Sequence, residues 1–368
     1  MTRSALPHGL LQTVDELIQT RLAPQTQAID HGLYPADFLR TLGQLGGFAA
    51  ALPSAEGGLN LNLAAQVDLV AQVARTCGST AFLVWCQAIC TWYLHQTHNP
   101  AARERYLKPL AAGTLLAGTG MSNAVKHLAG IERINLRGHR DGTDFVVNGA
   151  LPWVSNLGED HLLIAAAELD EGGYVMFVVP PHAPALTLRA CPAFSGMEGT
   201  GTLNVRLKNA RIPADDVLAD ADEFDAYMKR IKSGFLLTQA GMGLGLIQAS
   251  VDAITASNVR LAHVNCYLDD QSDTLARDLD ALHAETTRLA NQGQSALPLD
   301  VLRVRARSSE LALRATQSAA LHTGAAGYLL SNPSQRRLRE ALFVAIVTPA
   351  LKHLRKEIDG LEHAREAA

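Results

Sequence analysis

Apolar positions recur at helical spacing over residues 10–29, with Leu11, Val14, Leu17, Ile18 and Leu22 on one face. The same period marks 38–45, which ends at Gly46 and Gly47, and 61–75. Residues 79–95 are apolar nearly all round, with Trp85, Cys86, Cys90, Trp92 and Tyr93, so a helix there must be buried. Residues 100–112 close this helical half. Between 114 and 208 the pattern turns to strand, with candidates at 134–138, 145–147, 161–167, 174–179, 186–190 and 202–207. Asn148 and Gly149 tolerate positive φ and predict a tight hairpin turn. Helical spacing returns from 224, over 235–258, 275–291, 300–322 and 334–361. Pro349 breaks the last of these; Thr348 is expected to cap the second piece, with Pro349 at its first position. Gly241, Gly243 and Gly245 each cost roughly 1 kcal/mol in a helix relative to alanine. Close backbone contact with another helix would compensate.

Composition narrows the class. The chain has 368 residues, 48% hydrophobic and 18% charged, with net charge −4. That excludes a basic footprint for nucleic acid. No run reads as long and apolar enough to cross a membrane; 236–254 comes closest but carries Gln239, Gln248 and Asp252. Five cysteines show no paired metal spacing, and Cys86 and Cys90, one helical turn apart, read as core packing. No metal site is expected. A sparse, odd set of cysteines suits a reducing compartment, and residues 1–7 lack an apolar signal core, so a cytoplasmic protein is expected.

Trp153 and Ser155 carry the first chemical signal. On an extended strand, side chains two positions apart share a face. A flat apolar ring beside a hydroxyl suits a planar, partly polar ligand such as a flavin. The alternative is a buried packing residue followed by a strand end. His127, His95 and His322 are weak acid–base candidates, because histidine titrates near neutrality; a structural role is the alternative for each.

The helix–strand–helix order, together with its motifs, resembles the acyl-CoA dehydrogenase family of flavoproteins over nearly the whole chain. The likeness is carried by residues 42–48, Leu52 and Pro53, Glu56 to Gly58, residues 148–155, 196–202 and 210–213, Gly324 to Tyr328, and Arg339 with Glu340. It implies an α+β fold: an N-terminal all-α domain (1–113), a middle β domain (114–220) and a C-terminal four-helix bundle (221–368). It further implies FAD between the β domain and the C-terminal helices, and a homodimer or homotetramer packed through those helices. Ser122, Trp153 and Ser155 match the family's flavin contacts, and Gly324 and Gly327 those reaching over from the neighbouring subunit.

The chain departs from the family at the reacting centre. α,β-Dehydrogenation needs a carboxylate base, usually a Glu in the link between the last two helices. Here Thr348 stands at that position and Pro349 follows it. A rarer variant places Glu at the start of the first C-terminal helix, where this chain has Phe235 or Leu236. Neither threonine nor an apolar side chain is a base near neutral pH. The Phe-Gly of the family's Arg-x-x-Phe-Gly segment is missing after Arg260, the Gly-Ser-Asp loop is replaced by 124–132, and Leu321 stands where Gln is usual. FMN, or a loosely held reduced flavin, is therefore an alternative to FAD.

Three functions follow. One is a flavin-dependent oxidoreductase acting on a small molecule other than by standard dehydrogenation, as in two-component monooxygenases supplied by a flavin reductase. The helix around 82–93 would then line a dry pocket. Another is an acyl-CoA dehydrogenase with a relocated base, Glu132 or Glu198. The third is a non-enzymatic member kept for binding.

Overall fold

A computed structural model describes residues 4–366. Part of the stretch read for a signal core, residues 1–3, lies outside them. Helices α1 (His8–Leu17), α2 (Ala36–Gln44), α3 (Leu63–Ala74) and α4 (Gly78–Gln96) form the first half. Strands β1 (Ala117–Thr119), β2 (Leu136–Asp141), β3 (Asp144–Val154), β4 (Leu162–Leu169), β5 (Tyr174–Val179), β6 (Leu186–Ala190), β7 (Leu203–Ile212) and β8 (Val217–Ala219) form the middle. Helices α5 (Phe224–Asn265), α6 (Ser272–Gln292), α7 (Pro298–Thr323), α8 (Pro333–Ile346) and α9 (Leu351–Glu366) complete the chain.

The predicted continuous helix over 10–29 is broken. A π-turn at Ile18–Leu22 and a 3-10 turn at Ala23–Gln25 interrupt it where Pro24 cannot donate a backbone hydrogen bond. The strands run in the order β6-β7-β3-β2-β4-β5-β8, with β1 on β4. β1 and β8 escaped the sequence reading because three residues are too few to show a period.

Asn148–Gly149 is not a turn. It lies inside β3 at a register shift against β7, with Gly149 at φ +136. The β2–β3 hairpin turns instead at Gly142–Thr143, closed by the Asp141–Asp144 pair, with Gly142 at φ +66. Both glycines allow positive φ, but only the second sits between strands whose apolar faces then coincide.

The sheet faces two ways. Leu163, Ala165, Val205, Leu207 and Phe177 belong to a core of the sheet's own, whereas Leu162, Ile164 and Met176 join the helical core. β4 is thus buried on both faces, and it reads as a continuous apolar run. On the helical side, α4 packs on β1, α5 on β5, and a short helix at Ser122–Leu128 on β4.

The three glycines of α5 do mark close packing. A Cβ on Gly241 would meet the Val67 carbonyl of α3 at 2.6 Å, and one on Gly245 the Ala71 carbonyl at 2.2 Å. On Gly243 it would meet Ser308 of α7 at 2.1 Å. Contrary to the expectation from sequence, α5 is long and apolar enough to cross a membrane, but 94% of its apolar window is buried inside the fold.

Candidate functional site

A cavity of about 410 Å³ opens where the sheet meets α4, α5, α8 and the α8–α9 link. Its two walls differ in chemistry.

The helical wall is aromatic. Phe82 stacks on Trp85 at 5.6 Å between ring centres and meets Phe343 edge-on at 4.7 Å. Trp85 packs edge-on against Phe235 at 5.0 Å and donates its Nε1–H to the Phe235 carbonyl at 3.2 Å. Cys86 completes this surface, and burial pushes its thiol well above the usual range. The expected aromatic lining from 82–93 is therefore present, but Trp92 and Tyr93 point elsewhere. Helical periodicity allows only one face to reach the cavity.

The strand wall is polar. Trp153 and Ser155 both line it, and Trp153 is 61% exposed, so it is no core residue. A register shift between Leu151 and Val154 turns the indole outward. Ser155 Oγ lies 2.6 Å from Thr202 Oγ1, which lies 2.8 Å from Thr200 Oγ1. Thr200 donates to the Met197 carbonyl at 2.7 Å. Each hydroxyl has one proton. With that of Thr200 committed, Thr202 donates to Thr200 and Ser155 to Thr202. Ser155 then turns only acceptor lone pairs to the cavity. Just after it, buried Asn156 anchors the strand end, accepting from Tyr34 Oη at 2.6 Å and donating to the Ala117 carbonyl at 2.7 Å.

Ser122 opens a short helix, Ser122–Leu128. Its Oγ meets Thr348 Oγ1 at 2.6 Å across the cavity floor. Thr348 is not a helix cap. α9 starts at Leu351, and the Thr348–Pro349 peptide, which is cis, belongs to the link. The Thr348 side chain is thereby free to bond Ser122. The link is held from behind: Gln239 Nε2 donates to the Thr348 carbonyl at 3.1 Å. Arg305, fully buried, donates to Gln239 Oε1 at 2.6 Å, to the Val344 carbonyl at 2.7 Å and to Ser309. Among the described residues no carboxylate meets this guanidinium, and desolvation pulls it down to about 9. Its charge faces the last turn of α8, where orphan carbonyls favour a cation.

The histidines lie away from the cavity. His127 Nε2 bonds Tyr174 Oη at 3.0 Å, His95 Nδ1 pairs with Glu56 at 2.5 Å, and buried His322 holds the Ser318 carbonyl at 2.9 Å. Glu132 pairs with Lys126 at 3.1 Å, and Glu198 binds the Phe194 backbone N–H. Among the described residues no Asp or Glu lines the cavity; its charged members are Lys126 and Arg339. Arg339 is held by Asp30 at 2.5 and 2.9 Å. Gly324, at φ +68, and Gly327 form a turn after α7, outside this cavity.

Sequence reasoning missed Arg305, Gln239 and Asn156, which touch across the chain and leave no local motif. Thr202 was detectable in principle, because β7 pairs with β3 at Leu203–Val154.

Residues 8–114 match the model of the acyl-CoA dehydrogenase N-terminal domain. A probable acyl-CoA dehydrogenase of Bacillus subtilis is 23% identical over 91% of this chain and 92% of its own. The chain belongs to the acyl-CoA dehydrogenase family. It is thus a flavoprotein oxidoreductase of that family, with the family's helix–sheet–helix fold. The butyryl-CoA dehydrogenase structure from Megasphaera elsdenii superposes with TM-score 0.86 at 19% identity, covering 98% of both chains. A glutaryl-CoA dehydrogenase from Mycobacterium smegmatis, solved with FADH2, gives 0.80 at 18% identity, covering 97% of this chain and 95% of that one.

The strand wall fits a flavin ring: an outward indole offers a flat apolar surface beside an acceptor hydroxyl, and Ser122 with Thr348 supplies a further donor.

Proposed function

We propose that this chain binds FAD with the ring against Trp153 and Ser155, and that it works on an apolar small molecule without a carboxylate base. The observation that carries the reading is the acid-free cavity, with Thr348 in the link where the family places Glu. Bound FAD would supply the redox chemistry. The protein would supply the rest. Trp153 provides the flat wall. Ser155, an acceptor toward the cavity, suits an N–H on the ring edge. The Ser122–Thr348 pair retains one free proton for a ligand oxygen. The aromatic wall excludes water, which strengthens every polar contact inside. Gly324 and Gly327 are proposed to contact the flavin of a second copy in a homo-oligomer.

A second reading, favoured by the same dry, acid-free wall, is a monooxygenase-type protein that receives reduced flavin from a reductase. A relocated base finds less support, because neither Glu132 nor Glu198 lines the cavity, and each is engaged by a residue that does, Lys126 and the Phe194 N–H.

The experiment is anaerobic addition of butyryl-CoA to the FAD-loaded protein, beside oxygen uptake with reduced FAD. No bleaching by the thioester, together with flavin uptake, is expected. Rapid bleaching would sink the base-free reading, and failure to take up FAD would sink the site. Oxygen uptake coupled to a product would favour the second reading.

A further inference from the structure

The outer face of the sheet carries a second concavity, of about 400 Å³. Asn148 and Ala150 of β3, Asn204, Arg206 and Lys208 of β7, and Arg189 of β6 line it. Strand register explains why they meet. Arg189 pairs with Asn204, Thr187 with Arg206, and Arg206 with Ala150 on the other side. Arg206 and Lys208, two positions apart, share a face. Arg189 stands on the diagonal from Arg206, within reach of a long side chain.

All three cations are exposed, and among the described residues no acid lines the groove. None of the three forms an ion pair with a described acid. Elsewhere in the same sheet arginines are matched: Arg137 by Glu168, Arg140 by Asp220, and Arg211 by Asp141 and Asp144. Convergent like charges on neighbouring strands are unfavourable unless something neutralises them. The natural complement carries several anionic oxygens, since the planar arginine fork matches phosphate at two points. Trp153 lies three residues beyond Ala150 on the same strand, about 10 Å at the usual strand rise.

We propose that this groove binds a diphosphate group. Two sources share that chemistry: the diphosphate of a flavin dinucleotide whose ring rests on Trp153, or that of a separate nucleotide. Only the first rests on the flavin seat proposed above.

Riboflavin, FAD and ADP are titrated into wild type and into the Arg189→Glu/Arg206→Glu double variant, at low and high ionic strength. The substituted side chains are exposed, and matching circular dichroism and unfolding curves check the variant's fold. Lys208→Gln serves as a milder second variant. Loss of about tenfold or more in FAD affinity, with riboflavin unchanged and ADP competing, assigns the dinucleotide. ADP binding that the double variant loses, without displacing FAD, assigns a separate nucleotide. If wild type binds no flavin yet binds ADP in a salt-sensitive, variant-sensitive way, the groove stands and the flavin seat falls. FAD and ADP binding that is the same in wild type and both variants, or absent for both ligands, overturns the proposal.

Discussion

The two walls of the main cavity hold their shape by opposite means. The strand wall depends on short-range polar contacts: Ser155, Thr202 and Thr200 pass one proton direction to the Met197 carbonyl, and Trp153 stands largely in the open. The helical wall depends on buried contacts far apart in the chain, with Arg305 and Gln239 pinning the link from behind. The exposed indole contributes little to folding and is free to serve a ligand. A buried wall cannot change without loss of stability. Substitutions should therefore separate binding from folding along this line.

The largest effect is expected at Arg305. Arg305→Met removes the donors to Gln239 Oε1 and Val344 O, leaving the first unpaired and the second with only the longer Ser309 contact at 3.4 Å. Stability should fall by about 3 kcal/mol, read from urea unfolding. An unchanged midpoint would break the contrast, since replacing a buried ion by a packed apolar residue is sometimes neutral. Next comes Trp153→Ala, which should weaken FAD retention about tenfold with little change in unfolding. Loss of stability without loss of flavin would mean that the indole packs rather than binds. Ser155→Ala should cost about 1 kcal/mol of flavin affinity, read by titration, because one hydrogen bond is lost and the relay behind it keeps its end.

The smallest effect concerns acid. Burial alone would raise Glu357, but the hydrogen bond from His353 and the Lys232 charge outweigh it and bring the carboxyl down to about 2. Its folded value lies below the ordinary 4.5, so its contribution is present above pH 4.5 and is lost as pH falls toward 2. This pair ties α9 to α5 behind the helical wall. Glu357→Gln should flatten the acid limb of the stability curve over that window; an identical limb in the variant would show that other carboxyls govern it.

Much of the architecture was readable from local pattern. The long helices and four of the strands stand close to where periodicity puts them, because a buried face must repeat at the period of its backbone. The glycines of α5 announced tight packing, though not which helices would touch them. Trp153 and Ser155 were visible as a pair on one strand. Errors came where two local answers were equally good. Asn148–Gly149 and Gly142–Thr143 both suit a turn, and only pairing of the flanking apolar positions decides between them. The Thr348–Pro349 pair looked like a helix start, but the chain needed that threonine across the cavity from Ser122.

By itself the sequence determined the helix–sheet–helix order, the absence of Glu from the last link and the indole–hydroxyl pair, because these are matters of residue type and period along one chain. Tertiary structure alone decided that no described carboxylate enters the cavity, that Ser155 faces it as an acceptor, and that the buried Arg305 braces the link. Those depend on atoms brought within about 3 Å from positions tens to hundreds of residues apart, where hydrogen-bond strength falls steeply with distance and angle.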